Sequence, residues 1–194
     1  MFSDPSLKRF LIEINNLFTF NNYNKAVQKV REQFIFSRTV EEKIFLHLIS
    51  AYLYLKLKDL FNSEVEFNNV INLLKLVKPR IIYYEFLTHY GISECFYSAG
   101  KFKQAFESRS LAQNLKMNID LSSSNVTSEV IDTLNKVSEL LTPKYDLIKD
   151  YKTKINTDKR KSLISLLMNK GRISYDSGDF KKAIKAIRRA EKYS

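Results

Sequence analysis

Few side chains in this chain are of a type that could do chemistry. Two histidines, His47 and His89, stand 42 positions apart, and Cys95 is the single cysteine. A structural or catalytic zinc takes three or four nitrogen, sulfur or oxygen ligands at defined spacing. The sequence supplies no third ligand for the two imidazoles, so no metal is expected. Cys95 lies in an apolar stretch, where a buried neutral thiol is the expected state and a reactive thiolate is not. There is no glycine-rich phosphate loop, no Cys-x-x-Cys, no His-Glu-x-x-His and no nucleophile elbow. Catalysis requires an acid, base or nucleophile held in mutual geometry. Nothing here is so arranged, and the expectation is a non-enzyme without cofactor.

The elements that position these side chains follow from a pattern stated twice. Ser93, Phe96, Gly100, Phe102, Ala105 and Ala112 recur in type and spacing as Gly171, Tyr175, Gly178, Phe180, Ala183 and Ala190, allowing one position of drift at the first aromatic. Glycine takes a left-handed backbone without a side-chain clash, so Gly100 and Gly178 each read as the residue just past a helix end. Two residues later an aromatic opens a second helix, whose alanines, seven apart, share one face and admit a close neighbour. Weaker echoes stand at Asn21, Tyr23 and Ala26 and at Lys58, Leu60 and Ser63. The markers Ala26, Ser63, Ala105 and Ala183 are 37, 42 and 78 positions apart. The last interval is twice 39, which places a degenerate unit between the third and last markers. A fixed period of this size is the signature of stacked helical hairpins.

Cap signals define the boundaries: Asp4-Pro5 and Thr142-Pro143 open helices, Thr39-Val-Glu-Glu42 forms a capping box, and Lys78-Pro79 closes a helix. Helices are expected at about 5–20, 23–36, 40–57, 59–77, 80–98, 101–117, 127–141, 143–155, 159–176 and 179–193. The chain of 194 residues, 44% hydrophobic with three prolines, is long enough for one sizeable core. The fold class is therefore all-α, a right-handed α-solenoid of about five helix-turn-helix hairpins in a single domain over 1–194. Clear repeats span 86–119 and 164–194, weak ones 7–40 and 44–77, and a degenerate pair 127–155.

The motif residues resemble the tetratricopeptide repeat family, with a small residue and an aromatic in the first helix, Gly-Lys-Phe102 or Gly-Asp-Phe180 at the turn, and two alanines in the second helix. The usual tryptophan and closing proline are absent, and the period near 40 exceeds the family's usual length of about 34, as in members with extended helices. The resemblance implies a concave surface lined by first helices. Carried over by alignment to the turn, the partner-groove residues are Lys8, Asn15, Tyr52, Tyr90, Glu94, Tyr97, Arg172 and Tyr175. Tyrosines and an arginine offer the contact area and polar handles of binding hot spots. Asn15 matches the asparagine of the chaperone-tail clamp, but Leu11 stands where its lysine belongs. An extended or helical protein segment with apolar anchors is the better partner.

Charge marks a second surface. Of the net +11, residues 143–194 carry 15 basic against 6 acidic groups, whereas 1–142 carry 17 against 15. Lys181, Lys185, Arg188 and Lys192 fall on one helical stripe, flanked by Lys182 and Arg189. Such a stripe attracts an acidic peptide, nucleic acid or an anionic surface, and equally serves as the solubilising outer face of a terminal repeat. With few interleaved aromatics for base stacking, any nucleic-acid binding would be non-specific and steeply salt-dependent. Ile184 and Ile187 in this last repeat suggest coverage by another subunit or a second copy. No uncharged apolar run approaches the roughly 20 residues of a membrane span. A lone cysteine suits a reducing, cytoplasmic setting. The functional expectation is an adaptor or scaffold, with nucleic-acid binding and a structural subunit of a larger complex as alternatives.

Overall fold

The computed structural model describes residues 5–119, 127–139 and 147–193, with side chains in the last stretch from 156 onward. Among these residues lie nine helices and no strand. They are α1 (Pro5–Thr19), α2 (Tyr23–Phe34), α3 (Val40–Lys56), α4 (Leu60–Leu74), α5 (Ile82–Ser98), α6 (Phe102–Lys116), α7 (Ser128–Glu139), α8 (Leu147–Asp176) and α9 (Phe180–Glu191). The all-α expectation holds. By contacts the chain divides into two compact units, Met1–Lys144 and Tyr145–Ser194.

One turn design recurs four times. Asn21, Lys58, Gly100 and Gly178 all have positive φ, at 54°, 63°, 73° and 77°. At Gly100 the N–H donates to Tyr97 O (2.9 Å) and the next N–H, of Lys101, donates to Phe96 O (2.8 Å). The same two bonds, running three and five residues back, occur at Asn21 and Asn22, at Lys58 and Asp59, and at Gly178 and Asp179. They satisfy the otherwise unpaired carbonyls at the helix end. Lys58 holds the left-handed conformation with a Cβ in place, a cost of about 1 kcal/mol. Asp59 and Asp179 then cap the following helices, accepting from the N–H groups of Asn62 and Lys182. In each second helix the marker residue, Ala26, Ser63, Ala105 or Ala183, is buried.

Helix α3 organises the first unit. From Ile44 to Leu55 every residue but His47 is buried, because the sequence is apolar around the whole cylinder. Such a helix must be enclosed. Helices α2, α4, α5 and α7 pack against it, and its entry is fixed by the expected capping box, with Glu42 N–H donating to Thr39 Oγ1 (3.1 Å) and Thr39 N–H to Glu42 Oε2 (3.2 Å). At its centre Tyr52 meets Phe67 edge-on, with ring centroids 5.3 Å apart, and donates its hydroxyl to Leu87 O (2.7 Å). Phe67 in turn lies over Gly91, so closely that a Cβ on Gly91 would sit 2.0 Å from Phe67 Cζ. That missing methyl lets α4 approach α5.

Two expected elements differ. The break between 155 and 159 is absent, and α8 runs unbroken through Asn156, Thr157 and Asp158. These residues favour caps only when a helix is already ending; without a glycine or proline to stop it, the helix continues with their side chains exposed. Helix α7 packs on α1 and α3, and residues 140–146 of the expected 127–155 pair lie outside the described residues. The described hairpins are four, α1–α2, α3–α4, α5–α6 and α8–α9. The Thr142-Pro143 cap lies outside the described residues. In the second unit Ala183, Ala186 and Ala190 pack on α8, where a Cβ on Gly171 would meet Ile187 Cγ1 at 3.1 Å.

Gly91→Ala should therefore lower the unfolding free energy in urea by about 1–3 kcal/mol through overpacking. Gly100→Ala, whose Cβ would meet only Phe102 at 4.0 Å, should lose about 1 kcal/mol through its backbone alone.

Candidate functional site

The predicted groove residues are distributed over both units and several environments. Lys8 is exposed on α1. Asn15, half-buried one helical turn before the end of α1, donates from Nδ2 to Thr133 Oγ1 on α7 (3.0 Å). Tyr52 and Glu94 are not groove-facing: both are buried. Tyr52 faces the core because α3 is enclosed on every side, and Glu94 is tied to Arg109, also buried, across the α5–α6 hairpin. The Arg109 guanidinium carbon lies 3.9 Å from the ring centroid of Tyr90, which is half-buried. Tyr97 is half-buried and edge-on to Phe102, at 5.3 Å between centroids.

Helix α7 packs on α1 and α3. Its Val130, Leu134 and Val137 are buried in the same core as Leu11, Ile14 and Leu48. Tyr83 on α5 donates its hydroxyl to Asn135 Oδ1 (2.7 Å). At the N-terminus of α7 the Glu129 carboxyl is held below the ordinary range by a bond from its own backbone N–H, with Thr127 and Lys8 adding to the effect. Arg109, Tyr83, Thr133 and Asn135 were not singled out from sequence. Arg109 had a signal, since it lies four residues after Ala105 and three before Ala112, on the inward face of α6.

Burial dominates the titration of the interior. It raises the Tyr52, Tyr83 and Tyr84 phenols and pushes the Cys95 thiol up to about 11, against the opposing effect of the Ser63 hydroxyl 3.1 Å away. A thiol so held is a core group and a poor nucleophile. His47 Nδ1 contacts the Glu66 carboxylate beside the Phe34 ring, and His89 is held below its ordinary value by burial, with Glu85 opposing. Among the described residues no group of three His, Cys, Asp or Glu could hold a metal ion, and no helix is long and apolar enough to cross a membrane.

In the second unit Arg172 and Tyr175 are exposed on α8. Tyr175 meets Phe180 edge-on at 5.5 Å, repeating the Tyr97–Phe102 arrangement at the other clear turn. Around α9 run three stripes. Ala183, Ala186 and Ala190 face α8. About a quarter turn away are Phe180, Ile184 and Ile187, and about a quarter turn further are Lys181, Lys185, Arg188 and Lys192. Phe180 is 58% exposed although its ring meets Tyr175, and Ile184 is 53% exposed. Lys182 and Arg189 are exposed between the basic and alanine faces, with Lys182 bound to Asp179 at 2.7 Å.

No protein-family model matches this chain, and neither a curated protein nor a solved structure does.

The raised thiol and phenols fix the sign of the alkaline response. An unfolded chain gives up these protons at about pH 9 and 10, before the folded chain does, so it binds fewer protons there and stability falls as pH rises. Urea unfolding should report a steady free energy between pH 7 and 8 and a decline beginning near pH 9. Cys95→Ala should move that onset towards pH 10.

Proposed function

We propose that the chain is a non-enzymatic protein-interaction scaffold, built of helical hairpins of the tetratricopeptide type, whose C-terminal hairpin holds an acidic, amphipathic segment of another protein. One observation carries the reading. Tyr175, Phe180 and Ile184, with exposures of 64%, 58% and 53%, and the partly exposed Ile187 make an apolar stripe bordered by Lys181, Lys185 and Arg188. Exposed apolar patches with a polar rim mark interaction sites. The rings and isoleucines supply anchors that exclude water, and the cations select carboxylates and speed encounter.

A protein segment suits this surface better than nucleic acid. Phosphates would engage the lysines and arginines but leave the isoleucines with nothing to cover them. The helical backbone fixes the spacing of both stripes before a partner arrives, which limits the entropy lost on binding.

The test is affinity capture by the full chain, compared with Tyr175→Ala/Ile184→Ser and with Lys185→Glu/Arg188→Glu. All four side chains are exposed, so helicity and melting temperature should be retained. The same acidic proteins should be captured with and without nuclease and should be lost from both variants. Capture that vanishes with nuclease, or that survives both variants, overturns the reading.

A further inference from the structure

Helix α7 does not continue the stack of hairpins. It packs on α1 and α3 and reaches α5 through the Tyr83–Asn135 bond. Its inward stripe is Val130, Thr133, Leu134 and Val137, all buried. Three aliphatic groups at i, i+4 and i+7 with one hydroxyl at i+3 form the face of a short amphipathic helix laid into a groove. Because α3 is apolar on every side, this groove demands an occupant.

The fit of α7 is incomplete at one named atom. Thr133 spends its hydroxyl proton on Glu129 O (2.9 Å) and so can only accept from Asn15, whose Nδ2 donates to it. Asn15 Oδ1 is then buried with no partner among the described residues. Turning the amide over exchanges the orphan for its nitrogen and repairs nothing, because Thr133 has no second proton. A buried polar atom without a partner weakens the interface that contains it.

A carboxamide at the Thr133 position removes the defect. It offers an acceptor to Asn15 Nδ2 and a donor to Asn15 Oδ1, an amide-to-amide pair that a hydroxyl cannot make. We propose that α7 is an internal ligand occupying the α1–α3–α5 face, and that the partner which displaces it is an amphipathic helix with aliphatic residues at i, i+4 and i+7 and asparagine or glutamine at i+3. This exchange is independent of the C-terminal hairpin and its basic rim.

The probes are two fluorescein-labelled peptides, one with the sequence of residues 128–139 and one with asparagine in place of Thr133, titrated into the full chain by anisotropy. Both compete against α7, which as part of the same chain acts at a high effective concentration. The asparagine peptide should bind about tenfold more tightly than the threonine one. The Asn15→Leu chain should lose that preference. The Thr133→Asn chain should melt at a higher temperature and bind both peptides more weakly, since its own α7 now fits. The Leu134→Asp chain, with α7 loosened, should bind both more tightly; should it fail to fold, the Thr133→Asn chain still decides. Equal affinity of the two peptides, preference retained by Asn15→Leu, or unchanged peptide binding by Thr133→Asn would each overturn the proposal. The Tyr175→Ala/Ile184→Ser chain should bind the peptides as the natural sequence does, which separates a failure here from a failure of the C-terminal surface.

Discussion

Helix α3 imposes the constraint on which the first unit depends. A cylinder of Ile44, Phe45, Leu46, Leu48, Ile49, Tyr52 and Leu53 has no polar side to give to water. Each fully buried side chain of this size contributes about 1.5–3 kcal/mol, provided that something covers it. Covering it from every direction requires four other helices, and their arrangement follows. The Gly91 cavity admits Phe67 and brings α4 close to α5, Tyr52 reaches the Leu87 carbonyl, and α7 closes the side that the hairpins leave open.

Most of the hairpin framework was legible because turn chemistry is local. Gly100 and Gly178 declare the left-handed position outright, and the spacing from them to Phe102 and Phe180 extends the register to Asn21 and Lys58, where no glycine marks it. Ser63 is a small-residue marker and also a hydrogen-bonding one, donating to Ala51 O at 2.8 Å. The capping box at Thr39 and Glu42 was equally plain, since it depends on four consecutive residues.

What was not legible depends on which face meets which. The spacing of Val130, Leu134 and Val137 identifies an amphipathic helix but does not say that α1 and α3, and not α6, receive it. Tyr52 and Glu94 stood at aligned groove positions, yet the continuous apolar run of α3 and the inward placement of Arg109 override that alignment. Asn156, Thr157 and Asp158 resembled a helix start, but a cap residue starts a helix only where the preceding one has stopped. On α9 the narrow alanine stripe is enough to pack the hairpin. Phe180 and Ile184, which by composition belong in a core, are left facing outward beside the lysines.

Helix α7, as proposed above, is an occupant of the first unit and not a permanent layer of it. Native-state hydrogen exchange on the full chain measures this most directly, because amides report the free energy of the opening that exposes them. The amides of α3 and α5 should exchange only through global unfolding, and those of α7 through a separate opening of lower free energy that leaves α3 and α5 protected. Exchange of α7 in step with α3, at the same free energy and with the same denaturant dependence, would contradict the account.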